Sequence, residues 1–400
     1  MPGISWKTIW QNLNKWFIGP LFTAAIGTLL IARIIAIFIG PAYYSVYVVG
    51  PFSQAGMSDV LDKFNRKENS WSIDGVYVNM QVQDDQGDPA AAQRIAADLA
   101  GRKDTLLIIG HFQSTSSKQA LPLYLDAKPP IPVIMTTETT TNILPAPPNP
   151  ATHYPVFRLS PTDDVQARAA FNFARKHGAK TFWVVKDDLA NTTYSSYLAD
   201  KFMELAQTRD TSVELETSPT LVLPSSTLNQ LSNDWIFFAG SWRSALLFIR
   251  QMHASKFKLA NILLSDGCAT QDLLDASIEG KELENVYVTY PLDAKTFNEN
   301  HYSAYADDSL ALLAKVIDEA NSDFYNGAAE YGGLAYRIRS LAGIHRIGDA
   351  RNAVIHAIHS LREEKMHLPH GDASFNRDGV RLRAKFYVWR IQNNKFVDAS

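Results

Sequence analysis

Cysteine is almost absent from this 400-residue chain, which has a single one, Cys268. One thiol excludes a disulfide framework and a CxxC metal site, and no cysteine near the start is available to carry a lipid anchor. Net charge is also small: 38 Lys and Arg against 41 Asp and Glu give −3, which argues against nucleic acid as a partner. With 46% hydrophobic residues, the chain is expected to fold as one large or two medium globular domains.

Signatures of catalysis are missing as well. The sequence has no nucleophile elbow, no P-loop and no Rossmann fingerprint, and Ser114 has no evident base for hydrolysis. His356 and His359 stand three residues apart on a predicted helix, which favours a surface pair over a metal site because no third ligand lies nearby. We therefore expect the protein not to be an enzyme and to hold no metal or cofactor.

One long apolar run lies near the start of the chain. Residues 16–40 can cross a hydrocarbon core of about 30 Å at about 1.5 Å per residue, with some tilt. Arg33 interrupts the run, and we expect it either to snorkel to the headgroups or to meet a partner helix. Lys7 and Lys15 precede the run, whereas residues 41–62 contain no Lys or Arg, so the amino end is predicted to be cytoplasmic.

A cleaved signal peptide is the alternative interpretation of this run, because small residues follow it. The run is long for a signal peptide and a proline suits the cleavage point poorly, so a retained anchor is favoured. The protein is thus predicted to be a single-pass protein of the cytoplasmic membrane, with its C-terminal part in the periplasm or the extracellular space.

Strand and helix patterns alternate along the rest of the chain. Short apolar stretches predict strands and amphipathic stretches predict helices, an order typical of an α/β fold with parallel sheets. The predicted strands are 44–49, 77–82, 105–109, 133–135, 181–185, 235–238, 261–264 and 286–289, and the main predicted helices are 90–100, 164–177, 195–207 and 244–254. About eight such units exceed one comfortable core, so two similar lobes are expected.

Hydroxyl side chains follow two of the predicted strands. The strand 105–109 runs into a serine-rich helix start at Ser114, and the strand 133–135 runs into a row of threonines that includes Thr139 and Thr140. The carboxyl ends of neighbouring strands in an open α/β sheet meet at one crevice, and free N–H groups at a helix start attract anions. The sequence therefore predicts that a small molecule binds there.

Several short motifs occur in a fixed order along the chain. They are Gly50-Pro51-Phe52-Ser53, Asp84-Asp85 with Asp88-Pro89, the loop at 109–117, Phe157-Arg158 before Asp163-Asp164, Asp266-Gly267, and residues 374–380 followed by a final hairpin. With this order, the chain resembles the type I periplasmic binding proteins from about residue 43 to its end, and within them the branched-chain amino-acid-binding group. The resemblance implies an α/β fold of two Rossmann-like lobes joined by a three-crossing hinge, here preceded by one transmembrane helix.

The apolar run and the resemblance together divide the chain into expected segments. The expected segments are a cytoplasmic N-terminus at 1–15, a transmembrane helix at 16–40, lobe 1 at 43–156 plus 290–370, and lobe 2 at 157–289 plus 371–400.

A zwitterionic amino acid needs donors for its carboxylate, an anion for its ammonium group and a wall for its side chain. The resemblance places Ser114, Thr139 and Thr140 at carboxylate-binding positions, although the same residue types also cap helices. It places Asp266 where the family has the acid that pairs with the ligand ammonium; a turn or cap carboxylate is the alternative.

Aromatic residues complete the expected pocket. Tyr194, expected in the loop before a helix, matches the family tyrosine that covers the ligand, and Trp242 falls in an aromatic-bearing binding loop. Phe112 is expected to line the side-chain pocket, and plain packing is the alternative for all three. Where the family usually has Tyr-Gly-x-Gly, this chain has Tyr194-Ser195-Ser196-Tyr197, which changes the cleft and leaves the identity of the ligand open.

Two classes of function follow from these residues. In the first, the protein closes by hinge motion on an amino-acid-like solute and delivers or reports it to a partner membrane protein, a transporter or a sensor. In the second, it is a non-enzymatic scaffold or interaction subunit with a vestigial cleft. The segment 321–349 looks longer than the family pattern, which indicates either a partner-docking surface or an ordinary elaboration.

Overall fold

A computed structural model describes most of the chain beyond the apolar run. The described residues are 27–28, 43–54, 56–65, 71–145, 153–187, 189, 191–207, 212–218, 235–254, 261–277, 283–284, 286–292, 300–326, 346–362 and 364–399. The predicted membrane helix at 16–40 lies outside these ranges except for residues 27 and 28, and so does most of the segment 321–349. Within the described ranges, no helix has both the length and the apolar character needed to cross a bilayer.

A first, mainly parallel sheet is built from the amino-terminal strands. These are β1 (Tyr43–Gly50), β2 (Ser72–Ile73), β3 (Val76–Asp84), β4 (Thr105–Gly110), β5 (Val133–Met135) and β6 (Val156–Arg158). They lie in the order β2-β3-β1-β4-β5-β6, and only the short β2–β3 pair is antiparallel. β4 is buried along its whole length, which explains its unbroken apolar sequence, since parallel strands are covered on both faces.

A second sheet is built from later strands. Those that follow β6 are β7 (Thr181–Asp187), β8 (Ser212–Ser218), β9 (Trp235–Ala239), β10 (Ile262–Leu264), β11 (Tyr287–Tyr290), β12 (Met366–Leu368), β13 (Gly371–Ala373), β14 (Tyr387–Gln392) and β15 (Lys395–Asp398). The sheet order is β15-β14-β11-β10-β9-β7-β8, while β12 and β13 form a separate hairpin. β14 and β15 join antiparallel, as the final hairpin of the sequence predicts.

Helices cover both faces of each sheet. Those described are α1 (Ser58–Asn65), α2 (Pro89–Gly101), α3 (Ser114–Leu125), α4 (Asp163–Lys176), α5 (Thr192–Gln207), α6 (Trp242–Ala254), α7 (Gln271–Ala276), α8 (His301–Asn326) and α9 (Ile347–Leu361). α2 and α3 cover one face of the first sheet and α1, α8 and α9 the other. On the second sheet, α4 and α5 cover one face and α6 and α7 the other. We call each sheet with its helices lobe 1 and lobe 2.

The chain crosses between the lobes three times. The crossings lie between β6 and α4, between β11 and α8, and between β13 and β14. The first and third run side by side, because Arg158 N donates to Gly379 O (2.7 Å) and Arg381 N donates to Arg158 O (3.2 Å). These connections form the three-crossing hinge expected from the sequence, while the exact lobe boundaries at 156, 290 and 370 stay a prediction.

The secondary structure agrees with the patterns in the sequence, with a few differences. All eight predicted strands and all four main predicted helices are present. Two further strands, β6 and β8, were not predicted. β6 has only three residues, and β8, at the sheet edge, alternates Val and Leu with polar residues, so neither contains a continuous apolar run. α5 and α6 begin two to three residues earlier than predicted.

Candidate ligand-binding site

A cleft of about 460 Å³ lies between the lobes and is lined by both. Lobe 1 contributes segments that follow β1, β3 and β4, and lobe 2 contributes segments that follow β7, β9 and β10. The lining includes Gln113, Thr115, Asn191, Tyr194, Trp242 and Arg243. Each of these segments begins at the carboxyl end of a strand, which is where open α/β sheets bind ligands.

The lobes contact each other directly at one side of this cleft. Asn191 Oδ1 accepts hydrogen bonds from Thr115 N and Thr115 Oγ1, both at 3.0 Å. Thr115 Oγ1 in turn accepts from Thr193 N (3.0 Å), which is one of the amides left free at the start of α5. The hydroxyl of Thr141 in lobe 1 also contacts the hydroxyl of Tyr197 in lobe 2. The two lobes are therefore in a closed arrangement, in which the first turn of α3 contacts the start of α5.

Asp266 lies beside the cleft in a short 3₁₀ turn that follows β10. It is 5% exposed, and its Oδ1 accepts from the Tyr194 hydroxyl and from Gln166 Nε2 (2.7 Å). Both partners are neutral, and burial raises the pKa of the Asp266 carboxyl. Asp266 itself does not line the cleft, but its hydrogen-bond partner Tyr194 and its chain neighbour Gly267 do.

A second buried acid, Asp163, lies near Asp266 at the start of α4. Its Oδ2 accepts from Thr140 Oγ1 (2.8 Å), while its Oδ1 has no hydrogen-bond donor among the described residues. Burial raises the pKa of Asp163 to about 8, and the charge of Asp266 adds to the effect. One turn along α4, Gln166 Oε1 also lacks a donor within the described part of the chain. This region has acceptors without donors and two acids whose ionised forms burial disfavours, so a ligand that brings donors and a positive charge would fit it.

Arg158 holds the loop that follows β5. Its guanidinium is fully buried and its Nη1 donates to the backbone oxygens of Thr139 (3.2 Å) and Thr140 (2.8 Å). Burial lowers the pKa of Arg158. Thr139 and Thr140 are both buried outside the cleft lining, and the Thr140 hydroxyl is committed to Asp163. Their role as carboxylate donors stays a prediction.

The start of α3 is fixed by a buried acid, Glu138. Glu138 Oε1 accepts from Ser117 Oγ (2.8 Å) and from Phe112 N (3.2 Å). Ser114 is the first residue of α3 and is 2% exposed. Its neighbours Gln113 and Thr115 line the cleft, whereas Ser114 does not.

Phe112 lies in the core of lobe 1. Its ring meets those of Phe52 and Phe64 edge to face, at centroid distances of 5.8 Å and 6.3 Å. This placement favours the packing alternative, and a contact between Phe112 and a ligand stays a prediction.

Tyr194 and Trp242 both line the cleft. The expectation of loops at these positions is wrong, because Tyr194 lies in the first turn of α5 and Trp242 is the first residue of α6. Each helix begins directly after a strand-end loop, so the aromatic side chains are held on rigid elements. The guanidinium carbon of Arg243 lies 5.2 Å from the centre of the Trp242 ring.

Most cleft residues were not singled out from the sequence, among them Thr115, Asn191 and Arg243. Thr115 is adjacent to the predicted Ser114, and Asn191 precedes two threonines at a helix start, which is an N-cap signal. These signals indicate local structure only. That Thr115 and Asn191 meet depends on how the lobes face each other, which no local pattern reports.

Two α/β lobes, three crossings and a cleft at facing strand ends define a two-lobed fold with a ligand-sized cleft between its halves. The chain belongs to the periplasmic binding protein family, whose model matches residues 44–395. This membership confirms the predicted fold, and it is consistent with the expectation of a non-enzymatic role.

Solved structures of similar fold cover almost the whole described region. A leucine-binding protein from Thermotoga maritima is 18% identical with a TM-score of 0.69, covering 89% of this chain and 98% of that one. A branched-chain amino acid transporter substrate-binding protein from Streptococcus pneumoniae, in complex with isoleucine, is 15% identical (TM-score 0.64; 89% and 98% covered). A solute-binding protein of an ABC transporter from Rhodopseudomonas palustris, in complex with 3,4-dihydroxybenzoic acid, is 16% identical (TM-score 0.63; 90% and 96% covered). At these identities the likeness shows the fold, and no curated protein matches the sequence.

Proposed function

We propose that this protein binds a small amino-acid-like solute in its interlobe cleft, outside the cytoplasm, for transport or sensing through a partner membrane protein. Membership of the periplasmic binding protein family supports solute binding. The observation that carries the ligand class is the buried carboxyl of Asp266, which has neutral partners and adjoins the cleft wall at Tyr194 and Gly267.

An ammonium group is the ligand feature that this region fits best. Asp266 and Asp163 are both buried, and Asp163 Oδ1 and Gln166 Oε1 are acceptors without a donor in the described structure. An ammonium group brings three donors and one positive charge, so it would satisfy these acceptors and favour the ionised form of Asp266. Asp266 is proposed as its direct partner.

The carboxylate of the ligand is proposed to bind at the start of α3. Ser114, with Thr139 and Thr140 on the neighbouring strand end, is the proposed donor set, and amides of the helix start other than Thr115 N, which donates to Asn191 Oδ1, add to it. Tyr194 and Trp242 are proposed to cover the ligand from lobe 2, which their position in the cleft wall supports. Phe112 remains a weaker proposal because its ring is in the core.

The solute-binding protein from Rhodopseudomonas palustris holds an aromatic acid, which has a carboxylate but no ammonium group. A purely anionic ligand would disfavour the ionised form of Asp266 still further, whereas an ammonium group would favour it. We therefore favour a zwitterion over an aromatic acid for this chain.

The membrane anchor at 16–40 is part of the same proposal. Its support is the length and apolar character of that run and the absence of Lys and Arg in residues 41–62. Such an anchor would keep the cleft close to a membrane partner.

Thermal denaturation of the full chain in a nonionic detergent, with a panel of amino acids, tests the proposal. A ligand at 100 times its Kd should stabilise the protein by about 2.7 kcal/mol. Asp266→Asn should weaken binding by about two to four orders of magnitude, because removing one partner of a buried ion pair costs about 3–5 kcal/mol. Asp275→Asn, an exposed aspartate of the same lobe, should leave the affinity unchanged.

A scaffold with a vestigial cleft is the second candidate. The observation in its favour is that Thr115 and Asn191 join the lobes through contacts that need no ligand. Failure of zwitterions, amides and small acids alike to stabilise the protein would support the scaffold, and equal binding by wild type and Asp266→Asn would remove the role proposed for Asp266.

A further inference from the structure

A second cavity, of about 560 Å³, lies at the hinge and shares no lining residue with the interlobe cleft. All three crossings contribute to it: Pro161 from the first, Pro291 and Leu292 from the second, and residues 381–385 from the third. The β12–β13 hairpin forms the remaining wall. We call this cavity the hinge pocket.

The lining of the hinge pocket is strongly basic. Its ionisable side chains are Lys365, His370, Asp372, Arg381, Arg383 and Lys385. The chain as a whole carries a net charge of −3, so this concentration of positive charge is local and not a reflection of composition.

The acids at the hinge pocket are already paired. Asp372 forms an ion pair with Lys365, which lowers the pKa of the Asp372 carboxyl, and it also contacts His367. Asp308, buried behind the pocket, accepts from the backbone N (2.9 Å) and Nδ1 (3.2 Å) of His370, and Arg381 Nη1 lies 3.6 Å from its Oδ2. Each of the two acids therefore already has a basic partner within the protein.

Arg383 and Lys385 are then left as surplus positive charges. Both are exposed, and neither forms an ion pair with an acid in the described part of the chain. The same lining includes apolar residues, namely Pro161 and the buried Leu292 and Tyr305. An apolar wall beside two unpaired cations strengthens their attraction for an anion, because it lowers the local dielectric constant.

We propose that the hinge pocket is a second ligand site, and that it binds a polyvalent oxyanion bearing phosphate or carboxylate groups. Arg383 and Lys385 are its direct partners: the guanidinium can hold two oxygens of one group, and the ammonium adds a point charge. Two surplus charges match an anion of two or more charges. The concave wall favours a free anion over the headgroup of a lipid.

Isothermal titration of the full chain in nonionic detergent with inorganic pyrophosphate, at constant ionic strength set by sodium chloride, tests this site. We expect saturable binding of one pyrophosphate per chain. Arg383→Ala combined with Lys385→Ala should raise the Kd at least tenfold, since it removes both charged partners of the anion. The control, Arg94→Ala combined with Lys395→Ala, removes the same charge from exposed positions outside the pocket and should change the Kd less than twofold.

Three results would overturn the proposal: no saturable binding to the wild type, equal weakening in the control, or a preference for short-chain phosphatidylglycerol monomers over pyrophosphate. The last would identify a lipid-facing patch in place of a site for a free anion. No amino acid is needed in this titration, so its outcome is independent of the function proposed for the interlobe cleft.

Discussion

Burial controls the ionisation of Asp163 more than any partner does. The carboxyl is fully buried at the start of α4, and its Oδ2 accepts from Thr140 Oγ1 (2.8 Å). Its pKa is raised to about 8, against about 3.9 for an aspartate in an unfolded chain. Between these two values the folded protein holds a proton that the unfolded chain has released, so the folded state loses stability as pH rises.

Asp163→Asn should therefore remove part of the pH dependence of folding. In the wild type, the contribution of this group is fully present below about pH 4 and is lost as pH rises through about 8. The asparagine variant should be more stable than the wild type at pH 8 by up to about 5 kcal/mol, because a pKa difference of one corresponds to about 1.4 kcal/mol. Urea denaturation at pH 5 and pH 8 measures this difference.

Asp59→Asn is the matched control, because Asp59 also lies in the first turn of a helix but is exposed. It should change the unfolding free energy by the same small amount at both pH values. An identical pH profile for wild type and Asp163→Asn would show that Asp163 is ionised in the folded protein.

At the scale of residues, the sequence predicted which side chains belong to the candidate site but not which residues they form hydrogen bonds with. Asp266 follows a strand and precedes a glycine, and this position, together with the family resemblance, predicted it as a ligand-binding acid. Its hydrogen bonds to Tyr194 and Gln166 come from two other helices, 72 and 100 residues away. Contacts over such separations depend on the packing of whole elements, which no local motif encodes.

At the scale of elements, the hinge depends on one close backbone contact. Gly379 in the third crossing has φ +75°, and a Cβ there would lie 1.7 Å from the backbone oxygen of Val156. Only glycine permits both this conformation and this approach, which lets Gly379 O accept from Arg158 N at the end of β6.

Gly379→Ala should therefore destabilise the protein by well over 2 kcal/mol, since the backbone of β6 must move to relieve the clash. Gly178→Ala is the control: Gly178 also has a positive φ (+87°), but a Cβ there meets nothing within 4 Å. It should cost only about 1–2 kcal/mol, the conformational penalty alone. Chemical denaturation compares the two, and equal costs would show that the contact with Val156 relaxes freely.

Elements that carry long apolar runs were predictable, because burial on both faces leaves a clear pattern. β1 and β4 are of this kind. β6 has three residues and β8 alternates polar and apolar side chains at a sheet edge, so their positions follow from the neighbouring strands and not from their own sequences.

At the scale of the whole molecule, the hinge motion expected from the sequence would make ligand affinity depend on the balance between open and closed arrangements. If only the closed form binds tightly, the apparent Kd equals the Kd of the closed form divided by the fraction of molecules that are closed. Here the contacts of Thr115 with Asn191 and Thr193 stabilise the closed form directly, whatever occupies the cleft. The number of lobes was predictable from the repeated βα units, but this contact was not, since it arises only when the lobes face each other.

Thr115→Val keeps the shape of the side chain and removes both hydrogen bonds of its hydroxyl, to Asn191 Oδ1 and from Thr193 N. At about 1 kcal/mol each, their loss should shift the protein toward the open form and raise the Kd for an amino acid ligand about tenfold or more. Solution scattering of the ligand-free protein should show a larger radius of gyration. Thr137→Val removes a hydroxyl that donates to Phe112 O (2.7 Å) within lobe 1, so it should lower stability without changing the Kd or the radius. If the two variants behave alike, the contact between the lobes contributes nothing to closure, and the equilibrium is set by the hinge alone.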